Sequence, residues 1–134
     1  MKRSKPIVLP KFELEIMHVI WDKGEATVQE VKDALNKQHP GAYSTFLTMM
    51  RRMENKGILK HEMHEDGRTY VYKPVMSREE VSASMVQDIY QRLFRGSSDR
   101  FFDALNALFR KEEIKPEELQ RLKDMIAEKE EQDE

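Results

Sequence analysis

Apolar residues recur at helical spacing in two successive segments near the start of the chain. The first pattern runs from Phe12 to Trp21, and Gly24 ends it. The second begins at Thr27 and Glu30, which have the spacing of a capping box, in which each side chain bonds the other residue's backbone amide. The spacing therefore predicts two amphipathic helices.

A third amphipathic helix is predicted before residue 57. Its apolar side chains form one stripe at positions i, i+3, i+4 and i+7: Phe46, Met49, Met50 and Met53. Ser44 or Thr45 is the predicted N-cap, and Gly57 occupies the position where a left-handed residue ends a helix. Because this stripe is predicted to be core, the opposite side of the helix is predicted to look outward.

Two β-prone segments follow and predict a hairpin. Residues 58–64 and 69–73 flank the sequence Glu65-Asp66-Gly67-Arg68, and an Asp-Gly pair between such segments is a strong hairpin signal. Three helices followed by a two-stranded hairpin is the element order of a winged helix-turn-helix. In that fold the third helix enters the major groove of DNA, and the hairpin, or wing, lies beside the backbone.

Three further helices are predicted in the second half of the chain. Residues 77–80 form another capping box, Ser98 or Asp99 is the predicted cap of the next helix, and Pro116 opens the last one. A polar tail is predicted over residues 128–134. The predicted fold class is mainly α with a small β-hairpin: an N-terminal winged helix-turn-helix and a C-terminal three-helix region.

Charge divides the chain where the element pattern changes. The 134 residues carry a net charge of -2, but residues 1–76 hold 13 basic and 10 acidic side chains, whereas residues 77–134 hold 10 basic and 15 acidic ones. A site for a polyanion must therefore be local. We predict a winged-helix domain over residues 1–75 and a helical domain over residues 76–134.

Cysteine content and hydropathy bound the protein class. With no cysteine, the chain has neither a disulfide scaffold nor a thiolate metal site, as a reducing compartment permits. Apolar runs of four residues or fewer are far shorter than the roughly 20 residues needed to span a bilayer. We expect a cytoplasmic protein without membrane insertion.

The outward side of the third helix carries chemistry suited to DNA. Guanidinium and hydroxyl groups bind phosphates and base edges, and an apolar group can contact a thymine methyl. Together with one arginine at the predicted wing tip, the predicted DNA-binding residues are Ser44, Thr45, Leu47, Thr48, Arg51, Arg52, Lys56 and Arg68.

Two other interpretations of this surface stay open. A basic cluster alone is usually a solvated helix face, so the element order carries the DNA interpretation. The alternative function is a winged-helix module that binds protein without binding DNA. Leu47 slightly favours that alternative, and the four basic residues favour DNA more.

Enzyme and cofactor motifs are not found. The chain contains no P-loop, no G-x-G-x-x-G and no G-x-S-x-G sequence. His61 and His64 come nearest to a metal site, but side chains three positions apart on a strand point to opposite faces. We predict no catalytic residues, no metal and no cofactor.

Three segments resemble the penicillinase repressor (BlaI/MecI-like) family of winged-helix transcriptional regulators. Residues 14–21 are similar to the family's first-helix signature, residues 43–59 to its recognition-helix motif, and residues 67–72 to its wing. The resemblance covers about residues 8–128.

Members of this family are dimeric repressors that bind palindromic operators. The resemblance therefore implies sequence-specific DNA binding by the domain over residues 1–75, with Thr45, Thr48 and Arg52 on the recognition helix and Arg68 on the wing. Leu47 departs from the pattern, because some members carry a polar or basic base-reading residue at that position.

The resemblance also implies that the helical domain over residues 76–134 forms the homodimer. A short helical segment with a large apolar share cannot easily bury all of it alone, which favours a homodimer, although the helices could instead fold back on the winged module. The predicted dimerisation residues are Phe101, Phe102, Leu105, Leu108, Phe109, Leu119, Leu122, Met125 and Ile126.

The signal that relieves repression stays open at this stage. Some family members are cleaved after a membrane-bound sensor is triggered, and the corresponding bond lies near Ala107-Leu108, where the family's Asn-Phe pair is absent. A copper-sensing branch uses a C-terminal cysteine cluster, and this chain has no cysteine. An upstream sensor or protease therefore has no assigned identity.

Overall fold

The computed structural model describes residues 6–133 and contains six helices and one two-stranded antiparallel sheet. In chain order the elements are α1 (Lys11–Lys23), α2 (Val28–Leu35), α3 (Tyr43–Asn55), β1 (Leu59–Met63), β2 (Tyr70–Pro74), α4 (Arg78–Arg92), α5 (Ser98–Lys111) and α6 (Pro116–Gln132). The predicted fold class is confirmed. Residues 1–5 of the predicted first domain and Glu134 of the predicted tail lie outside the described residues.

The chain divides into two compact units, one ending at Ile89 and the other beginning at Tyr90, so the division falls within α4. The first turns of α4 belong to the first unit, because Val81 is buried there and the Ser84 hydroxyl accepts a hydrogen bond from the Ile7 backbone amide. The domain boundary between residues 75 and 76 stays a prediction. Within the described residues, every helix is too short or too polar to cross a membrane.

The core of the first unit is built from the apolar stripes that the spacing predicts. Its largest fully buried side chains come from α1, α2, α3, the start of the wing and α4: Ile16, Met17, Ile20, Val31, Phe46, Met50, Met53, Ile58, Leu59 and Val81. Met49, predicted to share the α3 stripe, is only half-buried. Burial of these stripes fixes which side of α3 faces outward.

The helix termini explain why α1 ends and α2 begins where they do. Gly24 has a φ of 89°, and its amide donates to the Ile20 carbonyl at 2.7 Å, which ends α1. In the predicted capping box of α2, the Thr27 hydroxyl accepts from the Glu30 amide at 3.1 Å, and the Glu30 carboxylate accepts from the Thr27 amide at 2.9 Å. Both predictions are confirmed.

The predicted start of α3 is wrong. The helix begins at Tyr43 with Ala42 as its N-cap, and no side chain bonds the cap. Ser44 and Thr45 therefore lie in the first turn, where both are exposed. Burial of Phe46 supports this turn, because tertiary packing supplies most of the stability of a short helix.

The wing is a regular hairpin with a tightly bonded tip. Its strands pair in antiparallel register, starting from Leu59 opposite Pro74. At the tip the Asp66 carboxylate accepts hydrogen bonds from the Arg68 amide, the Thr69 amide and the Thr69 hydroxyl, at 2.8 to 2.9 Å. These bonds lower the pKa of Asp66, the Arg68 amide contributing most.

The second unit corrects two helix boundaries. The Ser97 hydroxyl accepts from the Arg100 amide at 3.3 Å, so Ser97 caps α5, and the prediction of Ser98 or Asp99 is wrong by one or two residues. A serine can cap from either position, so the sequence does not distinguish them.

The last helix is longer than predicted. Pro116 opens α6, as predicted, but the helix continues to Gln132 instead of giving way to a polar tail at residue 128. Glutamate and lysine have good helix propensity and need no apolar stripe to extend an exposed helix. An ion pair between Lys129 and Asp133, at 3.5 Å, spans its last turn.

Candidate nucleic-acid interface

The outward side of α3 carries two rows of side chains, because residues four apart on a helix lie above one another. One row consists of Tyr43, Leu47 and Arg51, and the other of Ser44, Thr48 and Arg52. The second row and the neighbouring Thr45 are exposed to solvent along their whole length.

The first row forms one wall of a cleft between α3 and the wing. The cleft has a volume of about 300 Å³ and is lined by Leu47 and Arg51 from α3 and by Arg68 and Tyr70 from the wing. Gln29 of α2 also lines it. The structure thus brings together three of the residues predicted to bind DNA, and places two guanidinium groups on one opening.

Arg52 and Arg68 keep their charge available to a ligand. Both side chains are exposed, and neither forms an ion pair with another residue in the described part of the chain. A guanidinium group in this state presents a planar set of donors that suits a phosphate or a guanine edge.

Leu47 is less exposed than the sequence pattern suggests. It is half-buried and packs against the core of the first unit while also lining the cleft. Part of its apolar surface is therefore used for packing, and only the remainder can contact a ligand.

Glu54 joins α3 to the wing. Its carboxylate lies 2.7 Å from His61 Nδ1 and accepts a hydrogen bond from the His61 backbone amide at 3.2 Å. The His61 ring also contacts Tyr70 and Tyr72, with centroid distances of 4.8 and 5.7 Å. These contacts hold β1 on the last turn of α3. The role of Glu54 was not found from the sequence, because its partner is seven residues away on another element.

Tyr72 supplies a neutral floor to the cleft. Its side chain is buried, and that burial raises the pKa of the phenol, with a further rise from the negative charge of Glu54. Its backbone pairs with Ala26 through two hydrogen bonds, at 2.8 and 3.0 Å, which attach the wing to the loop before α2. The wing is therefore held from two sides.

Lys56, predicted from the sequence to face DNA, instead reaches α1. Its Nζ lies 2.9 and 3.0 Å from the two carboxylate oxygens of Glu13, whose exposed fraction is 2%. The available signal was the position of Glu13 between Phe12 and Leu14, within an apolar stripe, where a charge needs a partner.

The histidines make packing contacts. The His39 ring stacks on Phe12 at 4.6 Å, and its Nε2 contacts the Glu15 carboxylate. His18 lies against Trp21 at 5.5 Å. Among residues 6–133, no group of three or more histidine, aspartate or glutamate side chains is arranged to hold a metal ion.

The second unit exposes most of the apolar residues predicted to form a dimer. No described residue of α5 or α6 is buried, and Phe102, Met125 and Ile126 are 64%, 61% and 59% exposed. Leu108, Phe109 and Leu119 are also exposed, whereas Phe101, Leu105 and Leu122 are half-buried. A cavity of about 250 Å³ between α5 and α6 continues this apolar surface.

Comparison with known proteins gives a family match over most of the chain. The family model described as penicillinase repressor matches residues 9–128. The chain is 32% identical over 85 residues to the penicillinase repressor of Bacillus licheniformis, an alignment that covers 63% of this chain and 65% of that protein. The matched region thus spans slightly less than two thirds of that relative.

Two further proteins show how far the similarity extends. The chain is 20% identical over 127 residues to the methicillin resistance regulatory protein MecI of Mammaliicoccus sciuri, covering 94% of this chain and 98% of that protein. It is also similar to the solution structure of the monomeric form of Bacillus licheniformis BlaI in complex with the blaP half-operator. That match has 33% identity and a TM-score of 0.48, and covers 57% of this chain and 90% of that chain.

Proposed function

The chain belongs to the penicillinase repressor family, and from that premise we propose that it is a transcriptional repressor that binds a palindromic DNA operator as a homodimer. In this proposal α3 enters the major groove, and the wing lies beside the sugar-phosphate backbone. Occupation of promoter DNA represses transcription.

The observation that carries the proposal is the outward surface of α3 beside the wing. This surface holds hydroxyl and guanidinium groups, and Arg52 and Arg68 form no ion pair with any other described residue. An acidic chain with a net charge of -2 keeps this one surface basic, which supports a local site for a polyanion.

We assign different roles to the two rows of α3. The exposed row, with Thr45 beside it, contacts base edges: Ser44, Thr48 and Arg52. Arg51 and Arg68, at the opening of the cleft, contact phosphates, and the exposed part of Leu47 contacts a thymine methyl. Phosphate contacts position the protein, and base contacts select the sequence.

The rival function, a winged helix that binds only protein, has less support. Its main argument was an apolar side chain on the outward surface of α3. Leu47 is half-buried against the core, so this surface offers little apolar area for a protein partner.

Alanine variants of Arg52 and Arg68 test the assignment on a selected duplex and a random duplex. We expect Arg52→Ala to weaken binding to the selected duplex by about 1–3 kcal/mol more than binding to the random one. Arg68→Ala should weaken both equally and make the logarithmic salt slope shallower by about 0.9. Lys123→Ala, on α6, is the control for loss of one exposed positive charge. Equal losses for Arg52→Ala on both duplexes would contradict the base-reading role.

The homodimer in this proposal uses the exposed apolar surface of α5 and α6. Exposed side chains such as Phe102 and Met125 find no cover within the unit. A second copy supplies an identical apolar surface, and a two-fold dimer matches the symmetry of a palindromic operator. The proposed dimerisation residues are those predicted from the sequence.

A further inference from the structure

Glu13 and Lys56 form an ion pair between the first helix and the end of α3. Glu13 is the buried charged residue of the described chain, and both of its carboxylate oxygens accept from the Lys56 ammonium, at 2.9 and 3.0 Å. The Lys56 side chain is 39% exposed, so the pair lies at the edge of the core.

This pair is attached to the part of α3 that carries Arg52. Lys56 is the C-cap of α3, and its amide donates to the Arg52 carbonyl at 3.0 Å. After it, Gly57 has a φ of 81°, and the Ile58 amide donates to the Met53 carbonyl, where the chain turns into the wing. A displacement of this end of α3 therefore moves Arg52 first.

We infer that Lys56 is a positioning residue for DNA recognition and that Glu13 is its anchor. The inference rests on the proposed function, because it assumes that α3 reads DNA. A charge-assisted bond to a buried carboxylate is directional, and the carboxylate neutralises the ammonium. Lys56 thus sets the angle of α3 against α1, and does not serve as a phosphate contact.

The test compares variants that break the pair without leaving a buried charge. Glu13→Leu removes the buried carboxylate and lets Lys56 turn to solvent, and Glu13→Leu/Lys56→Met replaces both partners with apolar side chains of similar volume, a change that is often neutral for stability. Lys11→Met, on the exposed first turn of α1, is the matched control for loss of one lysine. Urea unfolding measures the folded fraction of each.

Affinity is then measured on the selected and random duplexes over a range of salt concentrations. We expect both pair variants to lose about tenfold in the ratio of selected to random affinity, as partial misalignment of one bidentate base contact would cause. Their salt slope should equal that of the unaltered protein. Lys11→Met should keep the ratio.

Two results would overturn the inference. One is an unchanged ratio in both folded pair variants, which would make the pair a contribution to stability alone. The other is a slope that becomes shallower by about 0.9 in the double variant at an unchanged ratio, which is the signature of a lost phosphate contact. If the unaltered protein selects no duplex from a random pool, the proposed function itself fails, and this result is distinct from both.

Discussion

Thr27 shows how a single side chain sets the start of a helix. Its hydroxyl and the Glu30 carboxylate each bond the other's amide, and the Thr27 amide lowers the pKa of Glu30. This feature was predictable, because a capping box depends on two residue types at a fixed spacing. The caps of α3 and α5 were not, because Ser44, Thr45, Ser98 and Asp99 are all acceptable caps and packing decides between neighbouring positions.

We expect Thr27→Ala to lower the free energy of unfolding by about 1 kcal/mol, because the Glu30 amide loses its acceptor. Urea denaturation followed by circular dichroism measures this. Thr48→Ala, an exposed change within α3, should stay within about 0.5 kcal/mol of the unaltered protein. Equal effects of the two changes would contradict the capping role.

The wing tip should respond to acid through Asp66. Amide and hydroxyl donors hold the pKa of this carboxyl below its ordinary value of 3.8. A depressed pKa in the folded state means that the contribution to stability is present above the unfolded value and is lost as pH falls through the folded value. We expect the amide resonances of Arg68 and Thr69 to titrate together with a midpoint below 3.8. A midpoint above that value, or no coupled titration, would contradict these bonds.

At the scale of elements, the order of helices and strands was predictable, but the contacts between elements were not. Apolar periodicity gives each helix its buried side, and the Asp-Gly pair gives the hairpin its turn. The same patterns do not show that Glu54 bonds His61 or that Lys56 reaches Glu13, because such pairs depend on how the elements pack. Half of the candidate site is therefore sequence pattern, and its supports are tertiary.

Glycine at the wing turn is an element-scale requirement. Gly67 has a φ of 70°, and a Cβ built there meets no atom within 4 Å, so the penalty for Gly67→Ala is conformational alone. We expect this change to destabilise the protein by about 1–2 kcal/mol. Gly41 is the matched control: it lacks a positive φ, and an added Cβ would lie 3.8 Å from the Phe46 ring. Gly41→Ala should be neutral or stabilising by about 0.4–1 kcal/mol in thermal unfolding. A stable Gly67→Ala variant would contradict the turn geometry.

At the scale of the whole molecule, the sequence indicated a winged helix followed by helices, and the compact units divide further along, within α4. That division was not predictable, because the packing of Val81 on the first unit leaves no separate mark in the helical pattern. The apolar residues of α5 and α6 were visible in the sequence, and their exposure became visible only in the fold.

An acidic substitution at the proposed dimer surface tests this exposure. Phe102 is 64% exposed, so Phe102→Asp should leave the helical content unchanged while removing a central apolar contact between copies. We expect a molar mass near that of one chain, 15.9 kDa, by light scattering. Gln120→Asp, an exposed polar change on α6, should keep the mass of the unaltered protein. A Phe102→Asp variant that retains twice the chain mass would contradict the assigned surface.

Selection of bound duplexes from a random-sequence DNA pool, with molar mass read on the same sample, tests the central claim most directly. The account predicts enrichment of an inverted repeat, with half-site centres separated by about one or more helical turns of 34–36 Å, by a species of twice 15.9 kDa. A folded protein that enriches no sequence would contradict the account and would favour a winged helix that binds protein.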